Sequence, residues 1–178
     1  ENAFRDVNIA FANELSMIAK EYDIDAYEII KFSNCHPRVN ILKPGCGVGG
    51  HCIAVDPWFI ASALPSKSKL IQTARKVNLE KTSWVIKQIN HKVNKLEAKY
   101  GRKINIGFLG ITFKPNVDDL RESPALEVVN QVDKTNIKIM VCEPNIEFCE
   151  GINLVSIDLI CKDADLLVAL VSHDEFKK

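Results

Sequence analysis

Between Pro44 and Trp58 the chain reads PGCGVGGHCIAVDPW, which sets a thiol, an imidazole and a carboxylate against four glycines in one short stretch. Gly45, Gly47, Gly49 and Gly50 carry no side chain to hold a ligand away from the backbone, and they permit φ values that other residues avoid. Cys52 follows at once. Asp56 then precedes Pro57, the order expected of a helix N-cap and its first helical residue, so the thiol stands between a flexible loop and a rigid helix. An imidazole at His51 and a helix start just beyond are both suited to stabilising a thiolate, the nucleophilic form of cysteine. The plainer readings are a small buried cysteine and an aspartate that only caps.

Gly45, Gly47 and Gly50 also match the G-x-G-x-x-G dinucleotide fingerprint, which belongs in a tight turn between a strand and a helix that begins inside the motif. Here Pro57 sets the helix start well past the last glycine. No acid lies between Asp56 and Glu80 to hold a ribose hydroxyl. A Rossmann phosphate loop is therefore rejected at this site. Cys35, His36, Cys46, His51 and Cys52 cluster in sequence, but they form no C-x-x-C pair, and adjacent His51 and Cys52 chelate one ion awkwardly, so no metal is expected. A second constellation runs from Lys114 to Pro124, KPNVDDLRESP. Lys114 and Arg121 have the chemistry to hold phosphates. Asp118, Asp119 and Glu122 outnumber them, and a solvated loop with local ion pairs, or acids that orient the arginine, reads equally well.

The elements that must position these groups follow from periodicity. Phe4, Val7, Phe11, Leu15 and Ile18 line one face of a helix running from the first residues to about Lys20. No Ser, Thr or Pro start signal precedes Asn2, which predicts a helix cut from a longer chain. Asp25 caps a second helix through Ile29, Ile30 and Phe32, ended before Pro37. Pro57 to Leu64 reads as a short helix. Leu70, Ala74, Val77, Val85, Ile89, Val93, Leu96 and Tyr100 then hold helical spacing over residues 69–100, about 48 Å at 1.5 Å per residue, with Gly101 as the stop. A helix that long commonly connects domains. Ile104 to Leu109, the helix opened by Ser123-Pro124 and Ile137 to Cys142 make a βαβ unit, extended by a helix near Ile157 to Cys161 and the run Asp165 to Val171. The fold class expected is α/β. An all-helical domain over 1–101 carries the Cys52 loop, and a long helix joins it to an open parallel-sheet, Rossmann-like domain over 102–178.

Among 178 residues 47% are hydrophobic, enough for a packed core, and 23 basic residues balance 23 acidic ones, so no nucleic-acid or anionic-membrane partner is indicated. No apolar run approaches the roughly 18 residues of a membrane span, and no targeting signal is legible. Six cysteines without a secreted-type framework predict reduced thiols and a cytoplasmic setting.

GVGGHCIAVDPWF, HPRVNILKPG and FKPNVDDLRESPALE, three motifs in the right order across essentially the whole chain, resemble the UDP-glucose/GDP-mannose dehydrogenase family. RDVNIAFANEL and GHCIAVDPWFI are most similar to its branch acting on UDP-N-acetyl-D-mannosamine, with UDP-N-acetylglucosamine or UDP-glucose as alternative substrates. The resemblance implies oxidation of the sugar C6 alcohol to a carboxylate with two NAD+, through an aldehyde that Cys52 captures as a thiohemiacetal and then a thioester. It implies that Asp56 and Asn2 handle the reacting oxygen and its water. The glycine loop and Lys43 would cradle the sugar, Arg38 would cross a homodimer interface to the partner's sugar nucleotide, Lys114 would contact the nucleotide and Arg121 would lie near the NAD phosphates. The family's catalytic lysine falls just upstream of Asn2. The resemblance therefore implies a C-terminal fragment, inactive alone, of which 1–101 is the dimerising central domain and 102–178 the UDP-binding domain, open to truncation after Phe176. The reading of another class is a non-catalytic dimerisation or sugar-nucleotide-binding module.

Overall fold

The structure, a computed structural model, describes residues 1–132 and 137–177. They form two compact units, Glu1–Thr82 and Ser83–Lys178. The first is built from α1 (Asn2–Glu21), α2 (Ala26–Ser33), α3 (Asp56–Ala63) and the start of α4 (Lys69–Tyr100). These spans lie within two residues of those read from periodicity. Asp25 caps α2 by accepting from Tyr27 N at 2.8 Å, satisfying one of the donors a helix start leaves open. The first turn of α1 has no side-chain cap, as its sequence predicts.

Of the apolar stripe along α1, Phe4, Phe11 and Ile18 are 73%, 56% and 49% exposed, while Val7 and Leu15 are half-buried. The buried side chains are instead Asp6, Ala10, Ala12, Asn13 and Ala19. The reason lies on α4, where Arg75, Asn78, Lys81 and Thr82 are also buried. Asp6 accepts from Arg75 Nη1 at 2.6 Å and from Asn78 Nδ2 at 2.8 Å, and Asn13 Nδ2 donates to Asn78 Oδ1 at 2.9 Å. Buried polar groups need partners, and these two helices supply them to each other, so the polar seam turns inward and the apolar stripe outward. On α4 itself Leu70 and Tyr100, at the ends of its apolar spacing, are exposed.

The second unit holds β1 (Asn105–Leu109), α5 (Pro124–Gln131), β2 (Lys138–Cys142), α6 (Ile157–Asp163) and β3 (Leu166–Ala169), followed by a short 3-10 turn, Asp174–Lys177. The sheet is parallel throughout, in the order β2-β1-β3, with Asn105 opposite Lys138 and Ile106 opposite Leu166. Ile106 and Phe108 of the central strand are fully buried, each worth roughly 1.5–3 kcal/mol of transfer free energy. Gly107 points the other way, where an added Cβ would overlap Ile160 Cγ2 of α6; its bareness lets that helix lie close on the sheet. Ser123 caps α5 by accepting from Leu126 N and anchors it by donating to Ile111 O at 2.7 Å. The connection from β1 to β2 runs one way across the sheet and the connection from β2 to β3 runs back past β1, so the carboxyl ends of β1 and β3 form a switch point, where open α/β sheets place ligands.

Candidate active site

The glycine loop sits entirely within the first unit. Gly47 and Gly50 adopt φ of 145° and 81°, so two of the four glycines are needed for conformation, while Gly45 and Gly49 have ordinary φ. No strand precedes the loop and α3 begins only at Asp56, which upholds the rejection of a dinucleotide turn. Cys52 is half-buried, and its carbonyl accepts from Asp56 N at 2.8 Å and Val55 N at 3.2 Å. Its Sγ lies 3.3 Å from His51 Nε2, close enough for the imidazole to take the thiol proton.

Asp56 is not the N-cap that its place before Pro57 suggested. Val55 occupies that position, in a helical conformation and with no capping side chain, and Asp56 is the first residue of α3. Its carboxylate is thereby spared from capping. It accepts instead from Asn2 Nδ2 at 2.5 Å, across 54 positions of sequence, because α1 packs against α3. Asn2, Cys52 and Asp56 are thus brought together at one end of α1. Arg38 and Lys43 are exposed in the segment leading into the loop, and the structure gives neither side chain a hydrogen bond to this group. The main chain of that segment is tied to α1: Asn8 Nδ2 donates to Asn40 O at 3.3 Å, and Leu42 N donates to Asn8 Oδ1 at 3.3 Å.

In the second unit, Lys114 lies in the β1–α5 connection at the carboxyl end of β1, exposed, with Nζ 5.4 Å from the centre of the Phe113 ring. Arg121 is engaged by Asp119: Nε reaches Asp119 Oδ1 at 3.0 Å, Nη2 reaches Oδ2 at 2.6 Å, and Arg121 N donates to Oδ1 at 2.9 Å. Of the three acids in this loop, Asp119 is the one seen to hold the arginine. Sequence reasoning missed the group beneath the loop. His173 and Glu143, both fully buried as side chains, meet at 3.1 Å between Nε2 and Oε2. His173 Nδ1 accepts from Asn116 N at 3.0 Å, which leaves the ring hydrogen on Nε2, aimed at Glu143. Glu143 also accepts from Ile111 N at 2.8 Å and Thr112 N at 3.2 Å. A glutamate and a histidine at the ends of two apolar strands were the available signal.

No disulfide is formed by the described cysteines. Among the described residues no helix is long and apolar enough to cross a membrane.

Two domain profiles of one family match in succession: the central domain of the UDP-glucose/GDP-mannose dehydrogenase family over residues 1–80 and its UDP-binding domain over residues 107–178. The chain belongs to this family. Members similar to it include the UDP-N-acetyl-D-mannosamine dehydrogenase of Salmonella typhimurium, 50% identical over 99% of this chain and 44% of that protein. The NDP-N-acetyl-D-galactosaminuronic acid dehydrogenase of Ralstonia solanacearum is 48% identical over 100% of this chain and 42% of that protein. Among solved structures of the family, the UDP-N-acetyl-mannosamine dehydrogenase of S. aureus superimposes with a TM-score of 0.81 at 40% identity, covering 100% of this chain and 41% of that one. The chain thus spans less than half the length of the relatives it matches.

Proposed function

We propose that this chain supplies the thiol and the oxygen-handling pair for the NAD-dependent oxidation of the C6 alcohol of UDP-N-acetyl-D-mannosamine to the uronate. The observation that carries the reading is the 2.5 Å hydrogen bond from Asn2 to Asp56, whose own amide holds the Cys52 carbonyl. Cys52 and Asp56 are one helical turn apart in the chain and the carboxylate is already oriented, which supports the reading of the pair as nucleophile and base. The C6 alcohol first loses a hydride to NAD+ and its hydroxyl proton to solvent, giving the aldehyde. Cys52 Sγ adds to that aldehyde, its proton passing by way of His51 to the C6 oxygen, and forms the S–C bond of a thiohemiacetal. Loss of the hydride from C6 to a second NAD+, while the hydroxyl proton leaves, gives the thioester. Water then attacks C6, Asp56 takes the proton of that water, and the S–C bond breaks to release carboxylate and thiol. The second amide hydrogen of Asn2 is assigned to the C6 oxygen as charge develops there.

The oxidation needs NAD as acceptor of two hydride equivalents. The described residues do not build its pocket: neither strand-to-helix connection carries a glycine-rich phosphate turn, and the guanidinium of Arg121, the group assigned to the NAD phosphates, is already paired with Asp119. Residues 1–101 in this reading form the homodimerising domain and 102–178 bind the UDP moiety, with Lys114 on the nucleotide, Lys43 and the glycine loop on the sugar, and Arg38 reaching the partner's substrate. The setting is the cytoplasm. The 178 residues by themselves should produce no NADH.

The test uses the protein expressed from its complete reading frame. Cys52→Ala should abolish uronate formation while UDP-sugar binding persists; uronate at the normal rate would refute the nucleophile assignment. The near-equal identity to a galactosaminuronic acid dehydrogenase supports a second reading in which the sugar is another N-acetylated hexosamine. Substrate profiling with the mannosamine, galactosamine, glucosamine and glucose nucleotides separates these.

A further inference from the structure

We infer that Asn13 is a positioning residue for the Cys52 loop, acting through the main chain at the loop's glycine-rich end. The inference rests on the reading of Cys52 as nucleophile for its functional meaning, not for its geometry. Asn13 and Asn78 are 0% and 1% exposed, so every polar atom they carry must find a partner inside the protein. Asp6, an acceptor when paired with Arg75 at 2.6 Å, fixes the orientation of Asn78, whose Nδ2 donates to Asp6 Oδ1 at 2.8 Å and to Asp6 O at 3.1 Å. Asn78 must then present its oxygen to Asn13, which donates from Nδ2 at 2.9 Å. Asn13 is left with its own oxygen facing the loop. That oxygen can meet only a donor, and it accepts from Gly45 N at 2.9 Å.

The orientation set by one ion pair is thus passed through two amides to a single main-chain N–H. The next residue is held by the same helix pair, because Thr82 Oγ1 donates to Cys46 O at 2.8 Å. At the other end of the loop the Cys52 carbonyl is held by the first amide of α3. The segment from Gly45 to Cys52 is therefore suspended between two fixed main-chain points, and the seam between α1 and α4 determines the first of them.

The test uses the full 178-residue chain and two readouts that need no catalysis: amide hydrogen exchange at Gly45, and the iodoacetamide alkylation rate of Cys52 relative to exposed Cys35. In Asn13→Leu, Gly45 should exchange about tenfold faster, the equivalent of one net hydrogen bond of roughly 1.4 kcal/mol, and the Cys52 to Cys35 ratio should change several-fold. Interior amides of α4 should keep their protection. Thr82→Val, which removes the Thr82 bond to the Cys46 carbonyl, should move the alkylation ratio in the same direction by less. An unchanged ratio in Thr82→Val together with unchanged Gly45 exchange in Asn13→Leu overturns the inference. So does faster exchange spread evenly over α1 and α4, which marks a merely structural role. If Asn13→Leu does not fold, the ratio in Thr82→Val decides alone. Failure of Cys52→Ala to abolish uronate formation would refute the nucleophile reading while leaving these two readouts intact.

Discussion

Replacing Lys81 by methionine should stabilise the first unit at neutral pH and lose that advantage in alkali. The Lys81 side chain lies inside the α1–α4 seam, 5% exposed, with Nζ donating to Ser16 Oγ at 2.8 Å. Burial strips water from the ammonium and brings its pKa down from 10.5 to about 8, against a smaller opposing pull from Cys46. A depression of that size corresponds to about 3 kcal/mol at 1.36 kcal/mol per unit. The unfolded chain takes up this proton near 10.5 and the folded one only near 8. Below pH 8 both states are charged and the folded state carries the whole penalty; between 8 and 10.5 the penalty shrinks as pH rises, and above that it is gone. Methionine keeps the apolar stem and removes the charge. It forfeits the bond to Ser16 Oγ, worth about 1 kcal/mol, but Ser16 Oγ still donates to Asn13 O at 2.6 Å and is not orphaned. The variant should therefore be about 2 kcal/mol more stable at pH 7 and about 1 kcal/mol less stable above pH 10.5. Urea unfolding of both proteins by circular dichroism at pH 7, 8, 9 and 10 measures this. The difference between them cancels other titrations, including those of Cys142 and Cys149, whose thiols are pushed up by burial. A difference that does not vary with pH, or a variant equally destabilised at every pH, would refute the reasoning.

Other sites give sharper single tests. Gly110→Ala forces a side chain onto φ +83°, with its Cβ 2.6 Å from Val171 Cβ and 2.8 Å from Val171 O, and should destabilise the second unit by about 3 kcal/mol or more in a urea titration. Ser123→Ala removes both the cap of α5 and the bond to Ile111 O, so a loss of roughly 1–3 kcal/mol should appear as a lower thermal midpoint. Glu143→Leu leaves the Ile111 and Thr112 amides and the His173 ring without their acceptor. It should loosen the β1–α5 connection, read as faster amide exchange at Ile111, Thr112 and Asn116 while β2 stays protected. Asn2→Ala, in the protein from its complete reading frame, should lower kcat by about 10²–10³ with little change in thermal midpoint, since Asn2 is only part-buried.

The sequence made the helices and strands legible because their signals are local. Asp25 before an apolar run, Gly101 after one and Ser123-Pro124 before another are physical start and stop signals, and each marks an observed boundary. Cys52 and Asp56 were legible for the same reason, as a thiol and an acid in a glycine-rich stretch. The partner of Asp56 was not legible from the residues themselves; only the family resemblance set it beside Asn2. Local order makes Asp-Pro a cap, whereas the carboxylate's actual partner is Asn2, and a bond across 54 positions leaves no trace in spacing. Which face of α1 turns inward was not legible on a similar ground. Periodicity reports which residues share a helix face, but it does not say which face turns inward when both are continuous stripes.

On α1 the two stripes are in direct competition. Phe4, Phe11 and Ile18 repeat every seven residues, and so do Asp6 and Asn13. Burying the apolar stripe would gain transfer free energy, and burying the polar one costs desolvation that a buried ion pair rarely recovers in full. The polar stripe wins because α4 offers Arg75 and Asn78 in register with it, so that most of the buried groups are hydrogen-bonded; among the described residues Asp6 Oδ2 and Arg75 Nε have no such partner. A seam of this kind specifies one register of α1 on α4, since a slip of one residue would leave a carboxylate and a guanidinium buried apart. Register is what the Cys52 loop requires, because Gly45 is held only where Asn13 faces it. The stripe turned outward then forms a run of exposed aromatic and aliphatic side chains, the kind of surface that marks a docking site. The homodimer proposed for the central domain would cover it, so that one helix fixes the thiol loop with its inner face and offers a partner its outer one.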